Sequence, residues 1–405
     1  MTQRQRNFVK RLNGFTLVEM LVSIALGLAV LVGVSAVYVS AKQSFRFQET
    51  AGRLQEDATF ALESMARDLR MAGYAGCKGI DASTPMSSLV SFPAAVDGPN
   101  PLAAVYPTDV SVTAQALAPN NFIRGFDATV PASMFSGTAP STGTTDSIFF
   151  SGGSANGISL SSTMANASAV LAISADPFKW SNALPANNDG AYYFVVSDCN
   201  SSSLFKGVVN TAGTQIDHGV GVGTSPNTNS AATFVPIPPG VTPPIYGADA
   251  ILMPLEWSFY YVATRTGAST PSLYRLFYNG NVLQTQELVS NIESMRLQYG
   301  ENLQGTVIGS NPKVACVLTV ANCTPTTNAD VWRTSAAAVT DWSHVVAVRV
   351  GLMVVGDDNT AVPAELAAST PKLLNQNYTL PAGASVTRLR KEFSTTVVLR
   401  NRVAS

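Results

Sequence analysis

The chain has 405 residues, 46% of them apolar and only 13% charged, with a formal net charge of −1. That much apolar side chain excludes a disordered polyelectrolyte, and near-neutrality excludes a chain dominated by a basic nucleic-acid-binding face. Two histidines, His218 and His344, lie far apart in the chain and leave little from which to build a His-based metal or proton-shuttling centre.

Arg4, Arg6, Lys10 and Arg11 fall within the first fourteen residues, before any acidic residue. Behind them runs Phe15 to Val39, whose only charge is Glu19. As a helix this run would span about 37 Å, enough to cross a hydrocarbon core of about 30 Å. The basic flank predicts a cytoplasmic N-terminus. A secretory signal fits poorly, because its apolar core is about 7–15 residues long and its small-residue cleavage site follows that core. Here the small residue, Gly14, comes first. Glu19 needs a reason, since a carboxylate within a membrane costs about 2.5–3.5 kcal/mol near the centre and usually has a partner. If the chain is cut after Gly14, Phe15 becomes a new N-terminus one helical turn from Glu19. The acid can then neutralise a buried amine, on its own chain or on a neighbour.

The segment Lys10-Arg11-Leu12-Asn13-Gly14-Phe15-Thr16-Leu17-Val18-Glu19 resembles the class III signal of type IV prepilins. The resemblance implies cleavage between Gly14 and Phe15 by prepilin peptidase and N-methylation of Phe15. It also implies pairing of Glu19 with the N-terminal amine of an adjacent subunit in a filament.

No proline precedes Pro85, so one helix can continue through the stalk. Leu54, Ala58, Ala61, Met65, Leu69 and Ala72 share one helical face. Glu49 with Arg53 and Glu63 with Arg67 form i,i+4 pairs on the other, and Gly73, Gly76 and Gly79 supply stop signals.

From Ala82 to Ala248 the composition shifts to Ser, Thr, Gly, Ala and Asn, interrupted by strand-like runs such as Asp146–Phe150 and Ala191–Val196. A Pro-rich connection, Pro236 to Pro244, follows. Strands are then expected over Glu256–Thr264, Ser272–Tyr278, Val345–Val355 and Ser394–Arg400. Asn279-Gly280 reads as a hairpin turn, and Val289 to Tyr299 fits either a helix or a strand. The order predicts an α+β fold, with a long N-terminal helix packed on a mostly antiparallel sheet that carries a large loop-rich insertion. The expected parts are a leader (1–14), a transmembrane half-helix (15–39), an amphipathic half-helix (40–76), a Ser/Thr/Gly-rich part (77–247) and a β-rich part (248–405).

Arg70-Met71-Ala72-Gly73-Tyr74-Ala75-Gly76-Cys77 resembles the PilW group of minor pilins. So do Val196-Ser197-Asp198-Cys199 with Leu204-Phe205, and the run Thr395-Thr396-Val397-Val398-Leu399-Arg400-Asn401-Arg402. Asn291 to Tyr299 is similar both to that group and to J-type pseudopilins of type II secretion. The resemblance implies a non-catalytic subunit that joins other minor pilins and the major pilin to prime a pilus and sit at its tip. Its partners would be prepilin peptidase and the inner-membrane assembly platform, with the head periplasmic. A J-type pseudopilin, or a pilin-anchored adhesin or DNA-uptake receptor, shares the same N-terminal residues.

Four cysteines, with no zinc-ligand spacing, favour disulfides in an oxidising compartment. Cys77–Cys199 would tie the end of the stalk to a head strand, and Cys316–Cys323 are close in sequence. No cofactor, metal or catalytic residue is expected. Gly219 to Gly223 lacks the Lys-Ser/Thr and helix of a phosphate loop, and Gly356-Asp357-Asp358-Asn359 lacks the distal Glu of a calcium loop. No HExxH, nucleophile elbow or CxxC pair occurs. Arg388, Arg390, Lys391, Arg400 and Arg402 read as solvated or salt-bridged edge charges, with Arg388/Arg390 and Arg400/Arg402 each sharing a strand face.

Overall fold

The computed structural model describes residues 16–77, 86–89, 115–117, 122–131, 134–135, 145–175, 191–220, 229, 231–234, 242–265, 267–268, 270–279, 282–302, 329, 331–339, 342–356, 371–380, 385–386 and 388–402. One helix, α1, runs Leu17–Arg70. The chain divides into two compact units, Met1–Arg53 and Leu54–Ser405, so α1 contributes to both. Absence of proline permits its length, and Gly73, at φ 74°, ends it in a left-handed conformation that suits glycine.

In the second unit the helix buries the stripe expected of it. Leu54, Ala58, Ala61, Met65, Leu69 and Ala72 are all nearly inaccessible. In the first unit Arg53 meets Glu49 at 2.8 Å, both side chains exposed. Arg67 approaches Asp68 at 3.8 Å, not Glu63 as its spacing suggested.

The strands β1 (Met86–Ser88), β2 (Gln115–Leu117), β3 (Ile123–Phe126), β4 (Ser147–Gly153), β5 (Ile158–Ser159), β6 (Leu171–Ala172), β7 (Ala191–Ser197), β8 (Ser202–Val209) and β9 (Gln215–Asp217) precede the long β10 (Ile251–Ala263). After it come β11 (Ser272–Asn279), β12 (Val282–Ser290), β13 (Ile292–Glu301), β14 (Val331–Arg333), β15 (Val345–Val355), β16 (Lys372–Leu373), β17 (Gln376–Asn377) and β18 (Arg390–Val398). Among the described residues, β1 to β12 form one sheet and β14-β13-β15-β18 a second. Among the described residues all strand pairings are antiparallel except β1 with β8.

β10 knits the first sheet. Its residues Ile251–Pro254 pair with β7, Leu255–Tyr260 with β4, and Ser258–Ala263 with β11. The stretch expected as a loop-rich insertion therefore supplies strands to the same sheet as the residues after 248. Asn291, at φ 62°, stands between β12 and β13, where the chain leaves the first sheet for the second. That pivot resolves the Val289–Tyr299 ambiguity as two strands meeting at one residue.

Two expectations need correcting. Asn279 pairs with Val282, which puts the β11–β12 connection one residue later than Asn279-Gly280. β18 ends at Val398, and Arg400–Arg402 form a 3-10 turn, so Arg400 and Arg402 do not share a strand face. Arg390 is instead sealed against Glu293, at 2.6 Å with both side chains almost fully buried.

Two apolar clusters fill the first sheet's surroundings. One gathers Phe149, Trp257, Phe259 and Tyr261. The other gathers Phe194, Phe205, Phe234 and Tyr246. In the second lies His218, its ring 4.5 Å from that of Phe234 and its Nε2 2.8 Å from the Ala169 carbonyl. Burial pushes its pKa below the ordinary value.

Candidate assembly site

In the first unit, the start of α1 is capped by Thr16. Its hydroxyl accepts from the Glu19 N–H at 3.3 Å, and its carbonyl accepts from Met20 at 3.1 Å. Glu19 thus stands in the first turn, where a carboxylate complements the unpaired N–H groups. The large apolar residues from Leu17 to Val39 are all exposed, from 51% at Ile24 to 77% at Leu17. No soluble surface carries so continuous an apolar column without a covering phase. By length and composition the helix can cross a membrane.

Gly14 and Phe15 lie outside the described residues, as do Cys316 and Cys323. So do Gly221 to Gly223 and Asp357 to Asn359.

In the second unit, the end of α1 is fastened at four points. The Gly73 N–H donates to the Ser151 carbonyl at 2.8 Å, and Gly153 N–H to the Tyr74 carbonyl at 2.6 Å. A side chain at Gly152 would collide with the Met71 carbonyl, so β4 can approach the helix end only with glycine there. Asp68 accepts from the Tyr260 hydroxyl at 2.8 Å and pairs with Arg275 at 2.9 Å. Burial raises the Tyr260 pKa, and the Asp68 charge adds to the effect, so the hydroxyl remains a donor. Asn401 Nδ2 donates to the carbonyls of Arg70 at 3.1 Å and Ala72 at 3.4 Å, groups that a helix end leaves unpaired. The fourth fastening is covalent, a Cys77–Cys199 disulfide with Cα atoms 5.2 Å apart.

A further junction joins the two sheets. Asp146, just before β4, accepts from the N–H of Leu297 at 3.0 Å and from Arg296 Nη1 at 3.0 Å. The Asp146 N–H donates to the Met295 carbonyl at 2.9 Å. Burial raises the Asp146 pKa, and Arg296 opposes that rise. Sequence reading did not single out Asp68, Arg275 or Asp146. Asn401 lay within a quoted resemblance, but its capping role had no local signal.

The arrangement is built to hold surfaces together. Among the described residues no group of three or more His, Cys, Asp or Glu is placed to hold a metal.

Comparison with known proteins gives two family matches. Residues 259–401 match Type IV Pilus-assembly protein W, and residues 10–35 match the prokaryotic N-terminal methylation motif. A type IV-like pilin from Thermus thermophilus is 16% identical, over 37% of this chain and 67% of that one, with a TM-score of 0.22. Among curated proteins none matches the chain. No catalytic family is indicated.

Proposed function

We propose that this chain, which its two family matches make a PilW-type minor pilin, primes assembly of a type IV pilus and is carried at the filament tip. The observation that bears most on this is the exposed apolar half of α1 with a single carboxylate in its first turn. Such a helix can rest in the inner membrane by its apolar column and leave it only for an equally apolar environment, such as a bundle of sibling helices. In this reading prepilin peptidase cuts between Gly14 and Phe15, Phe15 is N-methylated, and the basic leader stays cytoplasmic while the head stands in the periplasm. Glu19 then pairs with the new amine of a neighbouring subunit, minor or major pilin, as the assembly platform extracts it. Cys77–Cys199 and the Asp68 and Asn401 contacts keep the end of the stalk rigid on the head, so that force applied to one is felt by the other.

Glu19→Ala tests the reading. It removes one charge and makes the helix more apolar, so insertion and cleavage should proceed. What it removes is a charge partner in low dielectric, where an unmatched ion costs several kcal/mol. The protein should be cleaved and present in the inner membrane, be depleted from sheared filaments, and fail to restore pili in a deletion strain. Full restoration would refute this role for the acid. Scoring protein secretion in the same deletion strain separates a pilus subunit from a secretion pseudopilin.

A further inference from the structure

The second sheet has an apolar inner face, where Leu297, Tyr299, Val348, Val350 and Val397 are buried. Its outer face is different. Pairing aligns Gln298 on β13, Arg349 on β15 and Thr396 on β18 in one row. The next row on that face holds Trp332, Gly300, Ala347 and Val398. Arg349 is the one position of β15 that is not buried.

Four arginines of the head that are partly or fully buried are each matched to an acid: Arg275 to Asp68, Arg296 to Asp146, Arg333 to Glu301 and Arg390 to Glu293. Arg349 breaks the pattern. Its Nη1 donates to Gln298 Oε1 at 3.0 Å and its Nε to Thr396 Oγ1 at 3.4 Å, both neutral groups. Its guanidinium lies 4.2 Å over the Trp332 ring. Among the described residues no carboxylate pairs with it. Gln298 is itself oriented, its Nε2 donating to the Leu374 carbonyl at 3.1 Å. Gly300 lies beside them, where a Cβ would meet the Ala329 side chain first, at 2.5 Å, and the Trp332 ring edge at 3.3 Å. The sheet thus spends an aromatic platform and two neutral acceptors on fixing a cation that it does not neutralise.

We propose that Trp332, Arg349 and Thr396 form a docking site for a carboxylate of a sibling filament subunit. The proposal rests on the minor-pilin reading and names one contact within it. A planar guanidinium held flat binds a carboxylate bidentately with little further ordering. Trp and Arg are the residue types that dominate interface energetics, and Val398, 41% exposed, supplies apolar surface beside them. A nucleic acid fits less well. Phosphate tracking needs repeated cations, and the other arginines on this face, Arg296 and Arg390, are already taken by Asp146 and Glu293.

The test uses the chain in its native membrane, tagged for co-purification with the minor and major pilins of the same cell. Arg349→Gln removes the charge and keeps the size. Thr396→Glu, at an exposed edge position directly opposite, offers Arg349 an acid of its own and blocks the site from within. Both proteins should be leader-cleaved and accumulate normally. Each should weaken association with one sibling by roughly tenfold, the scale of a single interface hot spot. Arg349→Glu should be rescued by one Asp→Arg or Glu→Arg change in that sibling. Unchanged association in Thr396→Glu overturns the proposal, even if Arg349→Gln fails to accumulate. Loss of DNA binding by the purified chain, with sibling association intact, also overturns it. A wild-type chain that is never cleaved and never reaches filaments would instead defeat the minor-pilin reading, an outcome distinct from either.

Discussion

Residues Leu17–Val39 and Leu54–Arg70 belong to one helix and solve the problem of apolar surface in opposite ways. The second stretch has an apolar stripe of modest width, and the sheet of its own chain covers it. The first is apolar almost all round, and its own chain leaves it exposed. The difference shows that a side chain's exposure is informative only against the solvent it was selected for. In water the first half would be a liability. In lipid, or in a bundle of similar helices, it is the part of the molecule that reports where the protein lives.

The largest effect that could break this comparison is at the leader. Gly14→Val should abolish cleavage outright, because the branched side chain removes the small residue at the boundary. Mass spectrometry of the membrane form would then find the intact leader, while finding the ordinary new N-terminus at Phe15 would mean that Gly14 is not required. Next comes packing. Leu69→Ala should destabilise the head by about 2–5 kcal/mol, the cost of emptying a buried leucine site. Leu26→Ala, of the same chemistry on the same helix, should change head stability by less than about 0.5 kcal/mol. Equal losses in thermal melts of the detergent-solubilised protein would erase the distinction between the halves.

How far the sequence displays these features depends on how local their causes are. The spacing of Leu54, Ala58, Ala61, Met65, Leu69 and Ala72 is a helical periodicity, and all six are buried as that periodicity requires. Val345–Val355 is a β-branched run, and β15 has those same limits. What remained hidden depends on distant partners. Nothing near Asp146 reveals that it will bridge to Arg296 and Leu297, 150 and 151 residues further along. Nothing near Ile251 shows that β10 will collect β4 and β7 on its way to β11. For the same reason the Ser/Thr-rich stretch read as an insertion, when its strands are laid beside those of a region encoded much later.

Smaller perturbations sharpen the comparison within the head. Cys199→Ser opens a link that closes 122 residues, and the loss should be about 2–4 kcal/mol. Because the bond lies at the end of the stalk, proteolysis that speeds up most near Gly73–Cys77 and less elsewhere is the expected signature. A uniform increase across the chain would contradict it. The smallest effect is a pH dependence. His218 has its pKa lowered by burial from the ordinary 6.5, so the folded head favours the neutral ring. Its contribution is therefore complete above about 6.5 and declines as the pH falls below it, where the unfolded chain takes up the proton first. His218→Phe should flatten that acid-side decline in urea titrations run from neutral to mildly acidic pH. A slope unchanged by the substitution would place its origin elsewhere.

Asn401 seals the carbonyls of Arg70 and Ala72 from 331 and 329 positions away. A polypeptide threaded through a membrane from its N-terminal side presents the helix end first and the residue that closes it more than three hundred residues later. Until Asn401 arrives, those carbonyls have only water. Completion of the stalk's end is thus a record that the intervening sheets have already been laid down. Long-range closures of this kind are slow to form, which gives the cell an interval in which an unfinished subunit differs, at the very point where the head meets its stalk, from a finished one.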